Sequence, residues 1–315
     1  MNEIKYSIVI PCHNEEGNVL ILDKEIKESM NKLALPSEYE IIYIDDGSKD
    51  NTLKELKSLK GVKVIELNRN YGQATALDAG FKECKGEIII SMDGDLQNDP
   101  KDIPKLLKKL KEENLDVVCG WRKERKDKSG IKILTRIGRF LRRVFIKDSV
   151  HDTGCTLRVY RRKAVKSLDI GGEMHRYILA LLKWKGFKIG EVVVNHRART
   201  NGKTKYGYNK AVRGFIDLIY IWFIQKYSQR PLHIFGGLGI FAFMLGVLIN
   251  SFAIVGRILK IVDLSSSAWF LLGSFLIIAG ILLFSFGIVI DLLIKIHLNT
   301  SPHEKRYYIR ELIGK

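Results

Sequence analysis

Asp93 and Asp95 stand one residue apart, with Gln97 two positions further on. Carboxylates at that spacing can hold a hard divalent ion. Mg²⁺ or Mn²⁺ prefers such oxygen ligands and would bridge the phosphates of a nucleotide, while Gly94 lets the backbone turn closely. An Asp-x-Asp alone is common in surface turns, so its weight comes from its place. It closes the apolar run EIIISM, and a second acidic pair, Asp45–Asp46, closes EIIYI. His13-Asn14-Glu15 follows YSIVIP in the same way, and Asn68-Arg69-Asn70 follows Val62–Leu67. Neither G-x-x-x-x-G-K-[ST] nor G-x-G-x-x-G occurs, so the phosphate cradles of P-loop and dinucleotide-binding proteins are lacking.

The elements that must position these clusters follow from the patterning. Strands are predicted at Tyr6–Pro11, Glu40–Ile44, Val62–Leu67, Glu87–Met92 and Val117–Cys119. Helical spacing is predicted at Val19–Leu33, Lys49–Leu59, Ala74–Cys84 and Ile103–Lys111. Near-continuous apolar strands alternating with amphipathic helices imply a mostly parallel sheet covered on both faces. In such sheets ligands bind outside the carboxyl ends of the strands, where all four polar clusters fall. The four cysteines (Cys12, Cys84, Cys119, Cys155) form no C-x-x-C pair, which argues against a zinc site or a disulfide framework. Tyr6–Pro11 is too short for the apolar core of a signal peptide, so no cleaved leader is expected.

The formal charge of +17 calls for an acidic partner: nucleic acid, anionic lipid or a phosphorylated substrate. Pro231–Gly256 contains no Lys, Arg, Asp or Glu, and neither does Leu264–Ile290. Each is long enough as a helix to cross a hydrocarbon core of about 30 Å. Their glycines suit close helix approach, and Gly273, Gly280 and Gly287 recur every seven residues, which permits oligomerisation. Lys226 and Arg230 precede the first span. Lys295, Lys305, Arg306, Arg310 and Lys315 lie at or beyond the end of the second, whereas the connecting loop has Arg257 and Lys260 as its basic residues. This bias places both ends on the cytoplasmic side. The expected organisation is a domain over 1–205, an interfacial amphipathic helix over 206–230, spans over 231–256 and 264–294, and a basic tail over 295–315.

Between Trp121 and Lys147 eleven basic residues face two acidic ones, with Ile133, Ile137, Phe140, Leu141, Val144 and Phe145 at helical spacing. A basic amphipathic helix of this kind reads as lying on an anionic membrane surface. A second such helix is expected at Tyr208–Tyr227, whose Tyr220, Trp222 and Tyr227 suit the headgroup level. No helix-turn-helix, zinc-finger or aromatic RNA-binding signature accompanies the charge, which sets nucleic acid aside as a partner.

The ordered set PCHNE, IDDGS, NRNYGQATALDAG and SMDGDLQNDP resembles inverting glycosyltransferases of family two, which have an A-type, Rossmann-like fold. GWRKERKD, HDTGCTLRVYRR, GGEMHRYI and NHRARTNGKTKYG, followed by two spans, narrow the resemblance to polyprenyl-phosphate glycosyltransferases, including dolichol-phosphate mannose synthases and undecaprenyl-phosphate glycosyltransferases. The resemblance implies that Pro11, His13, Glu15, Asp45 and Asp46 contact the nucleoside of a nucleotide-sugar donor, together with Asp93. It implies that Asp93, Asp95 and Gln97 hold Mg²⁺ or Mn²⁺ and the diphosphate. It assigns the acceptor phosphate to Arg122, Arg136, Arg158, Arg199 and Lys205, and places a catalytic or sugar-positioning carboxylate at Asp152. Asp95, Asp152, Arg122 and Arg136 would then form the catalytic set. His175 and Arg176 are divided between sugar contact and a helix cap.

A polyprenyl monophosphate is already anionic near neutral pH, so alignment and charge stabilisation, rather than strong general-base chemistry, are expected to carry catalysis. The resemblance implies inverting transfer of a hexose-type sugar from a UDP- or GDP-linked donor to dolichyl or undecaprenyl phosphate. Two alternatives share the fold. One is a membrane scaffold without catalysis, against which the complete acidic and arginine set speaks. The other is a processive polysaccharide synthase, which would need more spans and a Q-x-x-R-W motif.

Overall fold

The structure, a computed structural model, describes residues 4–123, 150–168, 170, 172, 174–197, 231–259, 268–300 and 309–313. The chain forms two compact units, Met1–Phe215 with Lys305–Lys315, and Ile216–Glu304.

The first unit is built on an eight-stranded sheet. Its strands are β1 (Tyr6–Cys12), β2 (Tyr39–Asp45), β3 (Lys63–Leu67), β4 (Ile88–Ser91), β5 (Val117–Trp121), β6 (Arg158–Arg161), β7 (Ile189–Val193) and β8 (Ile309–Ile313), in the spatial order β7-β5-β6-β4-β1-β2-β3-β8. Pairings β3–β2–β1–β4 are parallel, β6 runs antiparallel between β4 and β5, and β7 is parallel to β5. Consequently β1 to β5 and β7 all end on one edge, and β6 begins there.

The helices in this unit are α1 (Asn18–Met30), α2 (Thr52–Ser58), α3 (Gln73–Glu83), α4 (Ile103–Glu112), α5 (Arg162–Lys166) and α6 (Ile178–Trp184). On α1, Val19, Leu22, Ile26 and Met30 share one buried stripe, and Ile103, Leu106, Leu107 and Leu110 do the same on α4. Both stripes join Ile8, Ile10, Ile41 and Tyr43 in one core layer. The other layer packs α3, α5 and α6 against Val9, Ile42, Ile44 and Ile89. Helix α3 lies unusually close to the sheet: a methyl group built on Gly80 would meet Val9 Cγ1 and come within 2.7 Å of Ile44 Cδ1.

Two differences from the sequence expectation concern the sheet's margins. The antiparallel β6 sits between two parallel strands, with Val159 and Tyr160 buried inside an arginine-rich stretch. In the stretch read as a basic tail, 309–313 instead forms β8, which pairs antiparallel with β3 and covers that edge strand.

The second unit contains α7 (Pro231–Ile258) and α8 (Ala268–Thr300). Both are long and apolar enough to cross a membrane over Pro231–Ile258 and Ala268–Leu293. Their glycines face each other. A methyl group on Gly246 would lie 2.5 Å from Gly273 O, and one on Gly239 2.7 Å from Gly280 O. This seam lets the two backbones touch. The seven-residue glycine face is therefore used inside the hairpin, and it gives no argument for oligomerisation. A polar clasp, Asn250 Nδ2 to Ser274 Oγ at 3.1 Å, adds to the seam.

Candidate active site

Strand order reverses at β1: β2 and β3 extend to one side of it, and β4 lies on the other. A crevice opens at such a switch point, and the sequence enlarges it. Pro11 has no N–H to donate, and pairing of β1 with β4 stops at Val9 and Ser91. The turn after β4 fills the gap. A methyl group on Gly94 would lie 2.9 Å from Cys12 Sγ, so a side chain there would displace the thiol or lift this turn from the end of β1.

The turn carries Asp93 and Asp95. Asp93 Oδ1 accepts a 2.6 Å bond from Gln73 Nε2, and Asp95 Oδ1 accepts from Gln97 N at 3.1 Å. Leu96, between Asp95 and Gln97, adopts φ 62°, a left-handed conformation that is strained for a bulky side chain. Burial, then the neighbouring charge of Asp95, raises the Asp93 carboxyl from 3.8 to about 7. The pair thus concentrates negative charge in a poorly hydrated place. Among the described residues no three His, Cys, Asp or Glu side chains converge as a metal-holding group. Two hard carboxylates nevertheless fit the oxygen-ligand preference of Mg²⁺ or Mn²⁺.

Asp45 and Asp46 occupy the end of β2. Asp46 accepts from Tyr71 N (2.7 Å) and Gly72 N (2.9 Å), which ties down the NRNYG loop after β3. Gly47, at φ 64°, is needed there, because a methyl group would lie 2.5 Å from the Arg69 carbonyl carbon. Asp45 Oδ2 accepts from Ser48 N at 3.3 Å, whereas its Oδ1 is buried with no hydrogen-bond partner among the described residues. A buried unpaired acceptor is costly unless a ligand donor completes it. Burial raises the pKa of both carboxyls. His13 Nδ1 lies 2.9 Å from Asp46 O, and Glu15 Oε2 accepts from Asn18 Nδ2 at 2.7 Å. Cys12 sits among these acids: burial first, then Glu15, Asp45 and Asp93, holds its thiol well above the ordinary range.

Arg122 follows β5 onto the same edge. It forms a two-pronged ion pair with Asp152, Nε to Oδ2 at 2.7 Å and Nη2 to Oδ1 at 3.0 Å. Burial opposes its charge, but Asp152 outweighs that and raises the Arg122 pKa. Asp152 is itself held: its amide and that of His151 donate to Glu191 Oε1 at 3.3 and 2.7 Å. The His151 ring stacks on Trp121 with centroids 4.5 Å apart.

Arg158 is 3 % exposed, and its guanidinium donates to the carbonyls of Cys155 (2.7 Å), Thr153 (2.6 Å) and His175 (3.4 Å). It therefore braces the loop carrying Asp152, and these bonds, rather than an acceptor phosphate, engage its guanidinium here. With Asp93, Thr156, Ser91, Leu77 and His175 it lines a small cavity.

The structure thus gathers Pro11, His13, Glu15, Asp45, Asp46, Asp93, Asp95, Gln97, Arg122 and Asp152 along one sheet edge. Arg136, Arg199, Lys205, the basic helix within Trp121–Lys147 and the Tyr208–Tyr227 helix lie outside the described residues, apart from Trp121 to Lys123. Sequence reasoning passed over Gln73, Cys12, Thr156 and Glu191. Gln73 and Cys12 stand inside the quoted motifs, whereas nothing near Glu191 in the sequence marks it.

The fold is that of A-type glycosyltransferases. Glucosyl-3-phosphoglycerate synthase from Mycobacterium tuberculosis, solved with Mn²⁺, UDP and phosphoglyceric acid, has a TM-score of 0.55 at 19% identity over 70% of this chain and 78% of that one. The chain belongs to glycosyl transferase family 2, whose family model matches residues 7–169. It is 38% identical to a dodecaprenyl-phosphate galacturonate synthase of Rhizobium johnstonii over 76% of this chain and 73% of the relative. It is 30% identical to an undecaprenyl-phosphate 4-deoxy-4-formamido-L-arabinose transferase of Proteus mirabilis over 98% and 94%.

Proposed function

We propose that this glycosyltransferase moves a hexose-type sugar from a UDP- or GDP-linked donor to a polyprenyl phosphate, with inversion at the anomeric carbon. The observation that carries the reading is the convergence of Asp45–Asp46, Asp93–Asp95 and Arg122 on one sheet edge at its switch point. The names of both relatives, each acting with a polyprenyl phosphate, support the acceptor class.

In this reading Asp45 Oδ1 accepts from a donor group of the nucleoside, and Asp46 fixes the loop beside it, with Pro11, His13 and Glu15 completing that end. Asp93 and Asp95, with Gln97, hold a divalent ion. Such an ion would neutralise charge on the departing nucleoside diphosphate. A phosphate oxygen of the acceptor bonds to the anomeric carbon as the bond from that carbon to the diphosphate oxygen breaks. The acceptor is already anionic, so no proton need be removed. Arg122 offers phosphate oxygens the guanidinium N–H groups that its pair with Asp152 leaves over, and Arg136, Arg199 and Lys205 contribute further positive charge. Asp152 holds Arg122 rather than acting as a base, because both of its oxygens already receive the guanidinium.

The two apolar helices anchor the enzyme in the membrane, with the transferase unit on the cytoplasmic side. Basic residues at both flanks of the hairpin support that side. β8, which follows α8 in the chain yet belongs to the transferase sheet, supports an even number of crossings and so both ends of the hairpin on one side. The test is to incubate the full chain in detergent with labelled nucleotide-sugars, undecaprenyl or dolichyl phosphate, and Mn²⁺. A labelled, organic-extractable product of inverted configuration is expected. No product from any donor, or retained configuration, refutes the reading.

A further inference from the structure

The segment after β7 is fastened to the acidic turn through three kinds of contact. Arg197 N donates to Gln97 O at 3.0 Å, and Asn98 and His196 form an antiparallel bridge. The Arg197 guanidinium then spans two elements. Its Nη1 meets both oxygens of Glu25 on α1, at 2.9 and 2.7 Å, and its Nη2 meets Asp99 Oδ1 at 2.8 Å. Alongside, Asn195 N donates to the fully buried Asp102 at 2.7 Å, and Ser29 Oγ on α1 donates to Pro100 O at 2.8 Å.

These contacts begin at Gln97, the residue that closes the Asp95 turn. That turn needs external support. Leu96 is held at φ 62°, a left-handed conformation that is strained for its side chain. A strained turn persists where its surroundings over-determine it. A planar guanidinium gripping two carboxylates from different elements fixes geometry better than a point charge can. The same segment leads in sequence to Arg199 and Lys205.

We propose that Arg197 is a positioning residue for the Asp93–Asp95 turn, clamping it between α1 and the segment after β7 so that its carboxylates are held ready for a divalent ion. The inference rests on the metal role given to these aspartates above.

The experiment titrates Mn²⁺ into the full-length chain in detergent with saturating UDP or GDP, reading free Mn²⁺ by electron paramagnetic resonance and melting temperature in parallel. Arg197→Met keeps the apolar stem but removes the fork. It should weaken Mn²⁺ binding about tenfold or more, as loss of an outer supporting partner does at metal sites. Arg197→Lys should recover part of the loss. Glu25→Gln should lose less than Arg197→Met, because Asp99 still holds the guanidinium. Unchanged Mn²⁺ binding in Arg197→Met overturns the clamp, whatever the melting temperature does. If Arg197→Met does not fold, Arg197→Lys and Glu25→Gln decide in the same way. A wild-type chain that binds no Mn²⁺ with either diphosphate overturns the metal reading and the clamp together, whereas wild-type binding with unaffected variants overturns the clamp alone.

Discussion

Raising the pH from 6 to 8 on the metal-free chain tests the electrostatics of Asp93. Burial and then Asp95 raise this carboxyl from 3.8 to about 7. A carboxyl raised on folding keeps its proton in the folded state, so stability falls as pH climbs from its ordinary value towards 7. The cost of folding with Asp93 ionisable is about 3 kcal/mol at pH 6 and about 4 kcal/mol at pH 8, a difference of about 1.4 kcal/mol. Comparing wild type with Asp93→Asn isolates the group from Asp45 and Asp46, whose carboxyls burial also raises. The variant should gain about 3–6 °C in melting temperature relative to wild type between pH 6 and pH 8. A bound Mn²⁺ would cancel this fall for wild type, because it keeps Asp93 ionised across the interval. At pH 6 only about one-tenth of Asp93 is ionised, at pH 8 about nine-tenths, so Mn²⁺ affinity should rise about tenfold across the interval. Differential scanning fluorimetry of the detergent-solubilised chain, with and without Mn²⁺ and UDP, reads both effects. A wild-type-to-variant difference that stays constant with pH, together with Mn²⁺ stabilisation that does not grow with pH, would refute this account of Asp93.

Asp152→Asn leaves Arg122 half-held, so the KM for the acceptor should rise about tenfold, the loss of roughly one charge-assisted bond. The shape of the kcat profile between pH 6 and 8 should be unchanged; loss of an acid limb would instead show that Asp152 is a base. Gly80→Ala drives a methyl group into Val9 and Ile44. Chemical denaturation should show a loss of about 1–3 kcal/mol, and a neutral result would mean that α3 can retreat from the sheet. Replacing 231–300 by a flexible linker, which retains β8, should reduce transfer to long-chain polyprenyl phosphate far more than to a short soluble analogue. Equal losses on both would show that the hairpin does not seat the enzyme at the lipid.

The central sheet was legible because β1 to β4 are largely buried and therefore read as near-continuous apolar runs, each closed by a polar cluster. Those closures located the acidic pairs and the edge they share. The margins were not legible, for specific reasons. Val159 and Tyr160 of β6 stand between arginines, and the sequence cannot show that Arg158 points at three carbonyls rather than at solvent. Strand β7 is short and lies in a lysine-containing stretch. Strand β8 is a five-residue strand that follows an apolar helix, and its pairing with β3 depends on the chain coming back to the sheet. The seven-residue glycine repeat announced close packing correctly, but periodicity cannot say whether the partner is another copy or the neighbouring helix. The ion pair of Arg122 and Asp152 illustrates the same limit: both residues were marked as functional, but only coordinates show that one holds the other.

Transfer of label from nucleotide-sugar to polyprenyl phosphate, followed across a Mn²⁺ titration for wild type and Asp95→Ala side by side, tests the central claim most directly. The account predicts lipid-linked product that rises with Mn²⁺ in the wild type, vanishes on chelation, and stays near background in the folded variant. Product formation that survives chelation or the loss of Asp95 would contradict it.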